Sequence, residues 1–239
     1  AFDERRFLPL LGFNHATPTI ADALAQARKE GCQRVVALWA RPFASEAGSA
    51  AARAQAALLA EELELDISFV DRFDHDPGVR AAWAALVRDA LQALPESERG
   101  GAHVLFTLQA LPITGTEDPT LAAARAFAEA VLSEADLANA WSVAYQGGVD
   151  PRCALAPGVV EELDRLAGQK VRALLLVPIS VVAEGLGTRW ELDLVLRPQA
   201  RGRGIEHVLR APCPAERPEF AAALAGVIAQ HLGEMDRVR

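Results

Sequence analysis

The chain has 239 residues, 51% of them hydrophobic, and a net charge of −8. That is enough apolar material for one large domain or two ordinary ones, and it excludes a disordered chain. The acidic balance, with no Lys/Arg block, excludes a phosphate-gripping nucleic-acid binder. Cys32, Cys153 and Cys213 lie far apart without a CxxC pair, so no zinc or iron–sulfur site is expected, and the sparse, odd count fits a reducing compartment. No apolar run approaches a membrane span and no signal peptide is visible, so the chain reads as cytoplasmic.

Short apolar strands alternate with helical patterns. Residues 6–13 (RFLPLLGF) form the first candidate strand, weakened by Pro9. Residues 17–29 predict a helix capped by Thr17, with Pro18 in its first turn and Ile20, Leu24 and Ala27 on one face. Residues 34–40 (RVVALWA) are nearly all apolar, as in a strand buried on both sides. An Ala-rich helix over 50–63, a strand over 66–70 and a helix over 77–94 follow. The polar, glycine-rich stretch 95–101 is the candidate domain boundary.

The pattern then restarts: strand 103–108, helix 119–132, strand 140–145, helix 157–167, strand 171–177, and a last helix over 218–232. This predicts an α/β protein of two doubly wound, Rossmann-like domains with parallel sheets. The expected division is 1–98, 99–215 and a C-terminal helix over 216–239 that packs back on the first domain. Ligands in such folds bind at loops leaving the carboxyl ends of the strands, here 40–49, 108–118, 145–157 and 177–189.

Most familiar site motifs are missing. There is no GxGxxG after a strand, no Walker A sequence and no GxSxG elbow. The Arg-Gly repeat at 201–204 reads as a surface loop, and FDHDP at 73–77 as an Asp-rich turn before a proline-started helix. None of the five histidines pairs at a metal-binding spacing, so no metal site is assigned. His15, just past the first candidate strand, is the one histidine carried forward as a site candidate; His103 and His231 read as structural.

Several blocks carry a resemblance. They are 11–24 (LGFNHATPTIADAL), 31–45 (GCQRVVALWARPFAS), 95–99 (PESER), 107–112 (TLQALP), 145–157 (YQGGVDPRCALAP) and 177–193 (VPISVVAEGLGTRWELD), together with the closing helix. In order and spacing they resemble the ferrochelatases, class II chelatases that insert iron into porphyrin in haem biosynthesis. The resemblance implies a chelatase-type fold, a tetrapyrrole ligand between the two halves, and a helix after Trp190 where WELDLVL alone suggests a strand.

At the family's functional positions the chain departs. The resemblance expects a histidine where Phe43 follows Pro42, another where Gln109 stands, a His-x-Glu pair where Gly185 and Gly187 stand, and a tryptophan where Ala154 stands. Fe²⁺ insertion removes two pyrrole protons and strips water from the metal, which needs a base and metal ligands. Phe and Gly supply neither, and a glutamine accepts no proton at neutral pH.

The expectation is therefore a tetrapyrrole-binding member with impaired or lost metal insertion and no cofactor, Fe²⁺ entering as substrate only if activity survives. Candidate binding residues are Phe43, Ser45, Gln109, Tyr145, Gln146, Glu184 and Trp190; His15 and Glu184 are the candidate catalytic groups of an active divergent enzyme. Phe43 either floors the ligand site or fills it. The family's opening strand–helix units have no counterpart here, so the expectation is either that further residues precede those given or that a protein partner or second copy covers an incomplete first sheet. A non-catalytic interaction module on the same scaffold is the third reading.

Overall fold

A computed structural model describes residues 7–44, 49–111, 119–147 and 155–238. Two parallel sheets are present among them. The first pairs β1 (Arg34–Leu38) with β2 (Asp66–Val70), in the register Val36 to Ser68. Helices α1 (Ile20–Lys29) and α2 (Ala51–Glu62) cover it, closing a small core of Leu24, Ala56, Ala60 and Leu65.

Three expectations about this region need correction. Residues 7–12 are not a strand: among the described residues no strand pairs with them, and Phe13 alone makes an isolated bridge, to Thr19. Thr19, not Thr17, caps α1. Thr19 has Asp22 three residues on, and the two exchange a reciprocal pair: Asp22 N–H donates to Thr19 Oγ1 at 3.1 Å and Thr19 N–H to Asp22 Oδ2 at 2.8 Å. Position 17 has Ile20 in the matching place and cannot do this. Finally, β1 is exposed at Arg34 and only half-buried from Val35 to Leu38, since among the described residues β2 is its one partner strand.

The second sheet has the order β4–β3–β5–β6 and is parallel throughout. Its strands are β3 (His103–Gln109), β4 (Trp141–Gln146), β5 (Ala173–Pro178) and β6 (His207–Arg210). β6 is short and escaped sequence detection. The side chains alternate as a pleated strand requires. Val104, Phe106 and Leu108 face α3 (Pro77–Gln92) and α5 (Pro119–Glu134), while Leu105, Leu174 and Leu176 face α6 (Val159–Gly168) and the helices after β5. Every residue of β5 is buried.

A short helix, α4 (Glu96–Arg99), occupies the polar stretch before β3. After β5 comes a wide π-type helix, Gly187–Leu196, running into α7 (Arg197–Gly202). This is the helix that the resemblance implied. The last helix, α8 (Pro218–Val238), lies across α3. Trp83 of α3 is the hub there: its ring meets Phe127 and Phe220 edge-on at 5.4 Å each, and its indole N–H donates to the Pro178 carbonyl at 3.3 Å. No helix among the described residues is long and apolar enough to cross a membrane.

Candidate functional site at the strand ends

The carboxyl ends of β1, β3, β4 and β5 send polar groups toward one another. Gln109 and Gln146 end β3 and β4 as register partners, on the same face of the sheet as Leu105 and Ala144. Gln109 is held from two sides. Its backbone N–H donates to Ser180 Oγ after β5 at 2.8 Å, and its side-chain oxygen accepts from Arg41 Nη2 on the loop after β1. Arg41 thus links the loop after β1 to the carboxyl end of β3 in the second sheet. Burial holds its guanidinium below the usual arginine range, and among the described residues no carboxylate pairs with it.

Gly147 follows Gln146 with φ +89°, a conformation that side chains disfavour. Its N–H donates to Glu191 Oε1 on the π-type helix at 2.5 Å. Burial pushes the Glu191 carboxyl up, and that one hydrogen bond offsets only part of the rise. Close by, Gln146 Oε1 and Thr107 Oγ1 are buried with no hydrogen-bond partner, as is the indole nitrogen of Trp39 beside the Arg41 loop.

The remaining candidates sit elsewhere. Phe43 is 4% exposed and packs edge-on against Phe127 at 5.6 Å, inside the large core. Tyr145 is buried on that same core side. Trp190 is 59% exposed, and Leu186 and Leu194, four residues to either side, are also exposed. His15 is exposed ahead of α1, with no hydrogen-bond or ion-pair partner among the described residues. Ser45 and Ala154 lie outside the described residues, as does Cys153.

Glu184 is fully engaged. Its Oε1 accepts from Arg210 Nη1 and from the Cys213 backbone N–H, both at 2.9 Å, and its Oε2 from the Thr188 hydroxyl at 3.1 Å. Arg210 closes the group with a two-pronged grip on Asp193, 3.0 Å to each oxygen. Burial pushes the Glu184 carboxyl up, but the Cys213 N–H and Arg210 outweigh it and hold it below the ordinary range. Burial and the adjacent Glu184 push the Cys213 thiol up to about 12, so it stays protonated at neutral pH. This cluster anchors the loop after β5. Among the described residues no group of three or more His, Cys, Asp and Glu side chains is placed to hold a metal ion.

A ferrochelatase family model matches residues 1–232. The chain belongs to the ferrochelatase family. It is 32% identical over 215 residues to a ferrochelatase of Geotalea uraniireducens, covering 88% of this chain and 66% of that protein. With the mitochondrial ferrochelatase of Drosophila melanogaster it shares 30% over 235 residues, 95% of this chain and 61% of the relative. The chain therefore spans somewhat under two thirds of the length of these curated relatives. Among solved structures it is similar in fold to SirB from Bacillus subtilis with Fe³⁺, at a TM-score of 0.62 and 13% identity, covering 90% of this chain and 78% of that one. CbiX, described as the terminal enzyme of sirohaem biosynthesis in denitrifying bacteria, gives 0.56 and 18%, with 85% and 78% covered. The α/β fold with parallel sheets is thus the chelatase fold.

Sequence reasoning missed Arg41 and Ser180. Arg41 is one of 24 Lys and Arg residues and carries no local mark. Its role shows only when the loop after β1 is folded against the end of β3.

Proposed function

We propose that this ferrochelatase-family chain binds a tetrapyrrole at the strand ends and does not insert metal into it. One observation carries the reading. Gln109, standing where the family resemblance expects a histidine, is a neutral amide held by a cation, Arg41. A glutamine cannot accept a pyrrole proton, and a neighbouring positive charge opposes an arriving divalent metal. Gly185 and Gly187 offer no ligand or base at the other expected positions, and Glu184 already serves three donors. The family scaffold and the polar strand-end groups support retention of the planar ligand.

The test is a titration of the purified chain with protoporphyrin or coproporphyrin, followed by the porphyrin Soret band and by tryptophan fluorescence. Saturable one-to-one binding is the expected result. An unchanged spectrum up to the porphyrin solubility limit overturns the proposal.

The second reading, an active divergent enzyme inserting Fe²⁺, has Glu191 in its favour: a half-buried carboxyl with a raised pKa at the strand ends. Turnover that Glu191→Gln abolishes would establish it. On either reading we place the protein in the cytoplasm, consistent with free Cys32 and Cys213. A partner or second copy over the two-stranded sheet completes the proposal, and light scattering of the pure chain reads it directly.

A further inference from the structure

The helix Gly187–Leu196 keeps its π form over ten residues. Such helices rarely exceed a single turn, so side-chain contacts must favour this one. The contacts around Arg210 do so. Arg210 on β6 has a side chain only 12% exposed and bonds two carboxylates at once. One is Glu184, just ahead of the helix, at 2.9 Å; the other is Asp193, within it, at 3.0 Å to each oxygen. Glu184 Oε2 in turn accepts from the Thr188 hydroxyl at 3.1 Å. Thr188 and Asp193, five residues apart, therefore have to face the same cluster. Hydrogen bonds running i→i+5 bring residues at that spacing to one side, whereas 3.6 residues per turn sets them about 140° apart. The cluster fits the wide helix and not an α-helix.

Between Thr188 and Asp193 stands Glu191, whose Oε1 accepts from the Gly147 N–H at the end of β4. We infer that Arg210 is a positioning residue: by gripping Glu184 and Asp193 together it holds residues 187–196 in the π form and so aims Glu191 at the strand ends. The Arg210 guanidinium bonds Glu184, Asp193 and the Ala211 carbonyl, and it acts on Glu191 through the helix alone. Rewinding to 3.6 residues per turn breaks the grip on Asp193 and turns Glu191 about the helix axis, away from Gly147. Arg197 Nη1 also approaches Asp193, but at 3.6 Å it is too far to hydrogen-bond and does not set the helix form. The inference goes beyond the proposed function, since it requires no bound tetrapyrrole.

Four variants of the full chain test this: Asp193→Ala, Arg210→Met, Arg210→Lys and, as a control, Arg197→Gln. Circular dichroism and thermal melting first establish that they fold. Asp193→Ala leaves the Arg210–Glu184 pair in place, so it carries the test even where Arg210→Met fails to fold. Two NMR readouts report the position of Glu191: the exchange rate of the Gly147 amide and the titration of the Glu191 carboxyl. In Asp193→Ala and folded Arg210→Met, Gly147 should exchange roughly ten- to a hundredfold faster, the range of one hydrogen bond to a charged group. Glu191, which burial holds above the ordinary carboxylate range, should return to it. Arg210→Lys should behave like Asp193→Ala, because an ammonium lacks the fork that grips both acids. Arg197→Gln should change neither readout.

A lowered melting temperature in Asp193→Ala with both readouts unchanged makes the cluster a structural anchor only and overturns the inference. So does full retention of both readouts in Arg210→Lys, or a change in Arg197→Gln as large as that in Asp193→Ala.

Discussion

The two sheets of this chain have the same strand chemistry and different surroundings. In the second, β3 and β5 have strands on both sides and helices on both faces, and β5 is buried along its whole length. In the first, β1 and β2 have only each other among the described residues, and the apolar run ahead of α1 leaves Phe7, Leu8, Leu10, Leu11 and Phe13 partly in solvent. An apolar parallel strand is thus stable in proportion to its neighbours, not to its own sequence. RVVAL of β1 and ALLLVP of β5 look alike as strings and differ in burial because, among the described residues, β1 has one partner strand and β5 has two.

The largest expected effect breaks the second region. Trp83→Ala removes the hub between α3, α5 and α8 and should cost about 3–5 kcal/mol of unfolding free energy in urea. Leu24→Ala in the small first core should cost about 2 kcal/mol, the low end for such truncations, because its surroundings are half-open. Equal losses would mean that the two cores are equally packed.

A pH scan sharpens the contrast next. Burial, opposed in part by Glu162, pushes His103 down to about 4, and its Nε2 lies 2.7 Å from Ser142 Oγ. The unfolded chain binds a proton near pH 6.5 that the folded chain takes only near pH 4. Stability should therefore fall as pH drops from about 6.5 to about 4, by at most roughly 3 kcal/mol. His103→Gln should flatten that part of the curve; an unchanged slope contradicts the account. Glu184, with a depressed pKa, adds stability that is present above the ordinary carboxylate range and lost at lower pH still.

The smaller effects lie in the first region. Amides of β1 should exchange with deuterium faster than those of β3 and β5, whose opening requires global unfolding. Leu11→Lys, at an exposed position, should change stability by no more than about 0.5 kcal/mol. A larger loss would place Leu11 in a contact.

Much of the second sheet and the helices packed on it was legible in sequence because its strands are short apolar runs between clear helices. Ala173–Pro178 and Pro77–Gln92 fall within a few residues of their expected ends. β6 was not legible, since HVLR has four residues and pairs only through β5. The segment expected as a strand over 6–13 misled for the opposite reason: its composition suits a strand, but among the described residues no strand lies alongside 7–13 to pair with them. At the candidate site, Gln109 and Gln146 were named from the family blocks. Arg41 was not, because its meaning depends on a long-range contact with Gln109. Glu184 was named as a candidate acid, and its place in the Arg210 cluster depends on residues 26 and 29 positions away.

The central claim is that a chelatase scaffold here carries a cation and an amide in place of proton-accepting and metal-handling groups. Incubation of the pure chain with coproporphyrin and Fe²⁺ or Zn²⁺, read as metalloporphyrin absorbance over time, tests it most directly. The account predicts formation no faster than the protein-free rate even where the porphyrin is bound. Sustained formation above that rate, proportional to protein concentration, would contradict it.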